Sequence, residues 1–431
     1  MIKRASHCER LQGAWQSSKY TRGIAASPRK AGLLAMTFIF VFFSLFLIPC
    51  YSIAGTTPDW SGDVTKLIQN GGVYAEDESG KAVFDYQGST QFMPASTLKV
   101  VTAYSALELL GKDYRFKTDF FLDASNNLYV KGYGDPYLVS EEFVLIVNQL
   151  KKLGLKKVNQ IILDGSYFEE IKVPGVSASL NPYDALNSAL SANFNTINVV
   201  KTKSGEVESG ESQTPVTELT KTLASKAPVG KSRINLAAHP EESLLYVGYL
   251  LKAFLEQQNI SVAGSIQKGK VSANAKLFYR HASSKNLEEV IQPMLKFSTN
   301  FIANQLFLTL GAEKMGAPAS LVKSKKVETD FLKTKLNLTD FNVEEGSGIS
   351  RQDKITPKSL VKVLKAFEPY KHLLPEKLDG ILAKTGTLNG VSCLAGYFDS
   401  SKYKDIHFAI LLNQSEGNRE KIAKILYQNL H

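Results

Sequence analysis

Residues 96–111, STLKVVTAYSALELLG, restrict the fold more than any other stretch. Leu98, Val101 and Leu109 recur at helical spacing, and Val100, Tyr104 and Leu107 fill the flanks between them. A helix that is apolar round nearly its whole circumference is stable only when other elements cover it on every side. Gly111 gives it a stop. The chain therefore needs a layered fold with this helix inside, and 431 residues suffice for two or three folded units.

The two ends of the chain carry the candidate layers. VYAEDESGKAVFDY (73–86) reads as two strands about a Glu-Ser-Gly-Lys turn. At the far end GILAKTGTL, SCLAGYFD and DIHFAILLN read as strands, followed by an amphipathic helix, NREKIAKILYQNL. LEEVIQPMLKFSTNFIANQLFLTLG is helical in pattern, and EEGSGISRQDKITP is a loop. Residues 116–284 differ in character. Short strands (LYVKGYGDP, NQIILDGSYF, NTINVVKTK) alternate with turns, YVGYLLKAFLEQQN supplies a helix, and KSGEVESGESQ (203–213) reads as an exposed loop. The expectation is one sheet assembled from residues 55–115 and 285–431, with a largely β domain over 116–284 inserted between them.

Residues 1–54 carry seven Lys or Arg and a single acid, ahead of an apolar run from Gly32 to Ile48 and then Pro49. This is the layout of a secretory signal peptide, with small residues at Ser52-Ile53-Ala54 for cleavage, or of an uncleaved membrane anchor through residues 32–53. The net charge of +10 comes largely from this leader; the remainder has 44 basic and 40 acidic residues. No stripe of Lys and Arg interleaved with aromatics occurs, so nucleic acid is not an expected partner. Of Cys8, Cys50 and Cys393 only the last survives removal of the leader, which excludes an internal disulfide in the exported form. No cluster of His and Cys has metal-ligand spacing, and no metal or cofactor is expected.

Three short motifs carry chemistry. Ser96 and Lys99 lie three apart at the head of the apolar helix, where backbone N–H groups are unpaired and favour negative charge. On a helix that spacing stacks one side chain above the other, so Lys99 reaches the Ser96 hydroxyl from the next turn. By itself the spacing decides little, since Ser-x-x-Lys occurs six times in this chain. It fits a nucleophile beside its base, and equally a buried serine beside a solvated lysine. Ser298-Thr299-Asn300 opens a second helix, and Lys384-Thr385-Gly386 lies in a strand running into Thr387, where a glycine lets a ligand backbone approach closely.

In this order the three motifs resemble the active site of penicillin-recognising serine enzymes. FMPASTLKVVTAYSALELLG, GYGDPYL, GLKKVNQIILDGSYF, EGSGISRQDKITP and GILAKTGTLNGVSCLAGYF extend the resemblance over most of residues 70–413. They are similar to the D-alanyl-D-alanine carboxypeptidase/endopeptidase group of low-molecular-mass penicillin-binding proteins, the kind with a large insert after the first motif. That resemblance implies an α/β (α+β) fold. Its β-lactamase/transpeptidase-like domain has an antiparallel sheet flanked by helices and carries the inserted domain. It implies a serine DD-peptidase acting on peptidoglycan stem peptides, with β-lactam antibiotics as covalent inhibitors, in the periplasm or cell envelope. It also implies roles. Ser96 is the nucleophile and Lys99 the base, its pKa lowered by burial and by Lys384. Ser298 relays a proton to the leaving amine, and Asn300 holds Lys99 and the substrate amide. The N–H groups of Ser96 and Thr387 form the oxyanion hole. Lys384, Thr385 and Thr387 bind the terminal carboxylate, beside Gly386. Departures are Thr299 within the second motif, Glu345 before Gly-Ser-Gly where Asp is usual, and Tyr133 where glycine precedes Gly134-Asp135-Pro136.

Several neighbouring residues have structural readings. Ser347 is expected at a turn or pocket wall, Asp135 as a turn cap, Cys393 in the core and Arg351 in an ion pair or near the cleft. The rival functions are a serine β-lactamase and a catalytically silent peptidoglycan-binding protein. Against the first, every Leu-Asn lacks a glutamate three residues before the leucine; against the second, the motif residues are all present. A Ser-His-Asp hydrolase is disfavoured because no Gly-x-Ser-x-Gly occurs.

Overall fold

The computed structural model describes residues 60–431 apart from Ala178 and Leu180, so the leader read over 1–54 lies outside the described residues. Strands β1 (Gly71–Glu76) and β2 (Ala82–Tyr86) form a hairpin closed at Gly80, whose φ of +85° suits glycine. Helix α1 (Leu98–Leu110) follows a single 3₁₀ turn over Ala95–Thr97. Every residue of α1 from Leu98 to Leu107 is buried, as its unbroken apolar surface requires.

Strands β3 (Arg115–Leu122) and β4 (Leu128–Gly132), helix α2 (Ser140–Lys152), strand β5 (Ile161–Asp164), helix α3 (Pro240–Gln257) and strands β6 (Ile266–Lys268) and β7 (Lys276–Asn286) build a second sheet with helices against it. Its order is β6-β5-β4-β3-β7, with β4, β5 and β6 parallel. Phe143, Ile146, Val147 and Leu150 of α2 pack with Val247, Leu250 and Phe254 of α3 in one apolar core. Burying a side chain of this size stabilises the fold by about 1.5–3 kcal/mol. The inserted stretch thus holds more helix than the single segment read from the sequence. Residues 203–213 are also not simply a loop: Val207–Ser209 is a strand, turned at Gly205, that pairs with Thr196–Lys201.

The chain then returns through α4 (Leu287–Phe297), α5 (Asn300–Met315), α6 (Leu321–Leu336) and α7 (Pro357–Phe367). Strands β8 (Glu376–Leu378), β9 (Ile381–Leu388), β10 (Val391–Ser400) and β11 (Lys404–Leu412) and helix α8 (Arg419–Leu430) complete it. The first sheet has the order β8-β9-β10-β11-β1-β2, antiparallel throughout. The pairing of β1 with β11, Gly71 opposite Leu412, joins the two ends of the chain. Helices α4, α5, α6 and α7 all touch α1, and α8 packs against β10 and β11. The fold is mixed α+β, antiparallel sheet flanked by helices. Among the described residues no helix is long and apolar enough to cross a membrane.

Candidate active site

Ser96 sits in the 3₁₀ turn ahead of α1, beside Ala95, which is held at a φ of +47°. Left-handed backbone is unfavourable for an alanine and persists only where the surroundings enforce it. The enforcing contact is the loop over 345–350. A Cβ added at Gly348, itself at φ +79°, would lie 1.9 Å from the Ala95 carbonyl oxygen. Buried Glu345 organises that loop, one oxygen accepting from the Ser347 N–H (2.8 Å) and hydroxyl (2.6 Å), the other from the Ile349 N–H (2.7 Å) and Ser350 N–H (3.3 Å). Its product is the direction of the Ser347 carbonyl, which points at Lys99.

Lys99 is fully buried in the first turn of α1. Its Nζ lies 2.8 Å from Ser96 Oγ, 2.7 Å from Asn300 Oδ1 and 2.8 Å from the Ser347 carbonyl oxygen. Burial pushes its pKa down to about 7, while the Glu345 and Asp353 carboxyls pull the other way. Asp353 is itself pushed well above the usual carboxylate range, first by burial and then by the adjacent Glu345.

The break between α4 and α5 supplies the second group. Ser298 is left-handed, φ +64°, which ends one helix and turns the chain into the next. Its Oγ lies 2.9 Å from Lys384 Nζ. Asn300 opens α5 with Oδ1 on Lys99 and Nδ2 donating to the Tyr183 carbonyl at 3.2 Å, so the inserted stretch touches the site here.

Strand β9 supplies the third. Lys384 is buried and also donates to the Thr385 carbonyl at 2.7 Å. Its pKa lies well below the ordinary lysine range, from burial first and then from Lys99, Lys377 and Arg419. Burial is the first cause of the lowered Lys99 pKa, and repulsion between the Lys99 and Lys384 ammonium groups disfavours charging both together. Gly386 backs onto the nucleophile turn, where a Cβ would lie 2.6 Å from the Pro94 oxygen and 3.1 Å from the Ser96 nitrogen. Thr385 is half-buried and Thr387 exposed. Strand β8 pairs only with Ile381 and Leu382, so the outer edge of β9 from Lys384 onward has no strand against it among the described residues. An extended peptide can add to such an edge through its backbone.

The structure therefore brings together two hydrogen-bonded sets, one of Ser96, Lys99 and Asn300 and one of Ser298 and Lys384, close enough for the two lysines to repel, with Gly386 against the nucleophile turn and Thr385 and Thr387 along the same strand as Lys384. Asp135 accepts from the Tyr137 N–H, a turn contact, and Cys393 is buried. Arg351 does not form an ion pair with an acid among the described residues; it donates to the Asn389 carbonyl at 2.7 Å. Sequence reasoning missed two contributors. One is the Ser347 carbonyl, hidden because backbone direction leaves no residue-type signal. The other is Arg419 at the start of α8, whose Nη1 donates to the Gly386 carbonyl (2.6 Å) and Thr387 Oγ1 (2.7 Å).

The sequence model of the D-Ala-D-Ala carboxypeptidase 3 (S13) family matches residues 63–232, 222–378 and 370–428. The chain belongs to this family. As an S13 peptidase it is an enzyme of the DD-carboxypeptidase type. It is 26% identical over 422 residues to a D-alanyl-D-alanine carboxypeptidase of Actinomadura sp. (strain R39), covering 81% of this chain and 78% of the relative. It is 24% identical over 432 residues to the D-alanyl-D-alanine carboxypeptidase DacB of Haemophilus influenzae, covering 84% and 90%. The crystal structure of penicillin binding protein 4 (dacB) from H. influenzae matches the S13 fold with a TM-score of 0.70 at 22% identity, over 86% of this chain and 98% of that one.

Proposed function

We propose that this S13 enzyme releases the terminal D-alanine from peptidoglycan stem peptides through an acyl-enzyme on Ser96. The observation that carries the reading is the contact set of Lys99. A neutral amine has two hydrogens and one lone pair. Asn300 Oδ1 and the Ser347 carbonyl can only accept, so they take the two hydrogens. The lone pair is then left for the Ser96 hydroxyl at 2.8 Å, the arrangement a general base requires. A charged ammonium would instead donate to Ser96 and block it.

In the acylation step Ser96 Oγ attacks the carbonyl of the penultimate D-alanine while Lys99 Nζ takes its proton. The Ser96 and Thr387 N–H groups stabilise the oxyanion. Collapse breaks the peptide bond, and the leaving amine of the last D-alanine receives a proton through Ser298. Water then cleaves the ester with the same base, regenerating Ser96. Lys384, Thr385 and Thr387 hold the carboxylate of the leaving residue. An anion beside Lys384 restores the charge that burial suppresses, so substrate binding completes its own counter-ion. The open edge of β9 supports an extended substrate backbone.

A β-lactam would be trapped at the acyl stage, making the enzyme penicillin-binding. The catalytic domain comprises residues 55–115 and 285–431 and the inserted domain 116–284, with export to the cell envelope consistent with such a substrate. The test is labelling with fluorescent penicillin followed by digestion of purified muropeptides. A stable adduct lost in Ser96→Ala, with release of D-alanine by the unmodified enzyme, is expected. Absence of an adduct sinks the reading, and an adduct hydrolysed within seconds replaces it with a β-lactamase.

A further inference from the structure

Arg419 belongs to none of the three motifs, yet it is tied to the substrate strand and its neighbour by three acceptors. Nη1 donates to the Gly386 carbonyl at 2.6 Å, to Thr387 Oγ1 at 2.7 Å and to the Cys393 carbonyl at 3.4 Å. No acid forms a salt bridge with it among the described residues, and its Nε and Nη2 donate to no acceptor there. A half-buried arginine with no salt-bridge partner is costly unless an anion arrives. We propose that Arg419 is a specificity-determining residue, orienting the Thr387 hydroxyl and supplying the fixed positive charge that selects substrates whose leaving residue bears a free α-carboxylate.

The hydroxyl argument is geometric. Thr387 has one O–H to donate and lone pairs to accept with. Arg419 occupies a lone pair with a charge-assisted bond, so the proton of Thr387 is left for an incoming acceptor. A carboxylate satisfies it with either oxygen and brings a negative charge to the guanidinium; a C-terminal amide offers one neutral carbonyl oxygen and no charge. Lys384 cannot supply the standing charge by itself, because burial and its cationic neighbours disfavour its ammonium form until an anion is bound. The guanidinium keeps its charge throughout the working pH range. Lys377, whose neighbours are Arg419 and Lys296, adds to the same positive field. Arg419 does not touch the reacting carbonyl in this scheme, so it positions and selects without taking part in bond making.

The inference rests on the reading of Ser96 as acylated by D-Ala-D-Ala peptides. The test compares an N-acyl-D-Ala-D-Ala peptide with its C-terminal amide. In the full enzyme, Arg419→Met should lower kcat/KM for the acid by about 10- to 100-fold, the worth of a charge-assisted hydrogen bond, chiefly through KM. The amide should change by less than about twofold, and Arg419→Lys should recover part of the preference. Arg419→Gln carries the comparison if the methionine variant does not fold. Equal losses on both substrates, or no loss on either, overturn the proposal. Binding of acid and amide to Ser96→Ala and to Ser96→Ala/Arg419→Met gives a readout free of chemistry. If the unmodified enzyme cleaves neither peptide, the Ser96 mechanism falls. The binding ratio still decides Arg419: an acid preference lost with Arg419 supports its role, and an unchanged ratio refutes it.

Discussion

Activity should rise with pH through about 7, because Lys99 acts only as the free amine. An ordinary lysine, with a pKa near 10.5, has about one molecule in 3,000 neutral at pH 7. Burial places Lys99 at about 7, so about half is neutral there. The fold thus raises the population of competent base by about a thousandfold. The same shift destabilises the folded state. Between pH 7 and 10.5 the unfolded chain holds a proton on Lys99 that the folded one has lost, so stability falls as pH drops through that window. At one decade per 1.36 kcal/mol, the loss from this group is about 5 kcal/mol at and below pH 7. The assay is the second-order rate of acylation by fluorescent penicillin from pH 5 to 9. A tenfold fall per pH unit below about 6 and a plateau above about 8 are expected. Lys99→Arg keeps the positive charge but cannot deprotonate, and should lose acylation by about 10²–10⁴-fold across the range. A rate independent of pH between 5.5 and 8.5, or normal labelling of Lys99→Arg, would refute the assignment of Lys99 as base.

Other outcomes follow from the packing. Gly386→Ala forces a Cβ against Pro94 and the Ser96 nitrogen, moving β9 off the nucleophile turn; acylation should drop by about 100-fold with the circular dichroism spectrum unchanged. Gly348→Ala combines a left-handed backbone with a clash on the Ala95 carbonyl; thermal denaturation should report a loss of about 1–3 kcal/mol, with slower acylation. The Cys393 thiol is buried and pushed up to about 12 by desolvation. Peptide mapping should find it unmodified by maleimide in the native enzyme and fully modified in denaturant.

Much of this was visible in residue order. The apolar helix over 98–110, the strands at both ends and the glycine stop at 111 all appear where the pattern put them. Other elements had a signal that went unread. Phe143, Ile146, Val147 and Leu150 mark one face of α2, and Thr356-Pro357 ahead of Leu360, Val361 and Leu364 marks the start of α7. The first of these lies inside the block read as largely β, between two segments read as strands. The new helix at Ser298-Thr299-Asn300 was read from its residues, but the left-handed backbone of Ser298 that ends the preceding helix leaves no mark of residue type, because its neighbours impose it.

What the sequence alone determined is local chemistry. The three-residue spacing sets Lys99 over Ser96 by helix geometry, and Gly386 leaves room beside its strand. What the tertiary structure decided is everything that needs distant chain in contact. Lys99 meets Asn300 from 201 residues away and the Ser347 carbonyl from 248. Arg419 reaches Thr387 only because α8 packs across β10, the neighbour of β9, and β11. Spacing can place two side chains on one helical face. It cannot state the burial that lowers a lysine's pKa, nor aim a backbone carbonyl, because both are properties of the assembled surroundings.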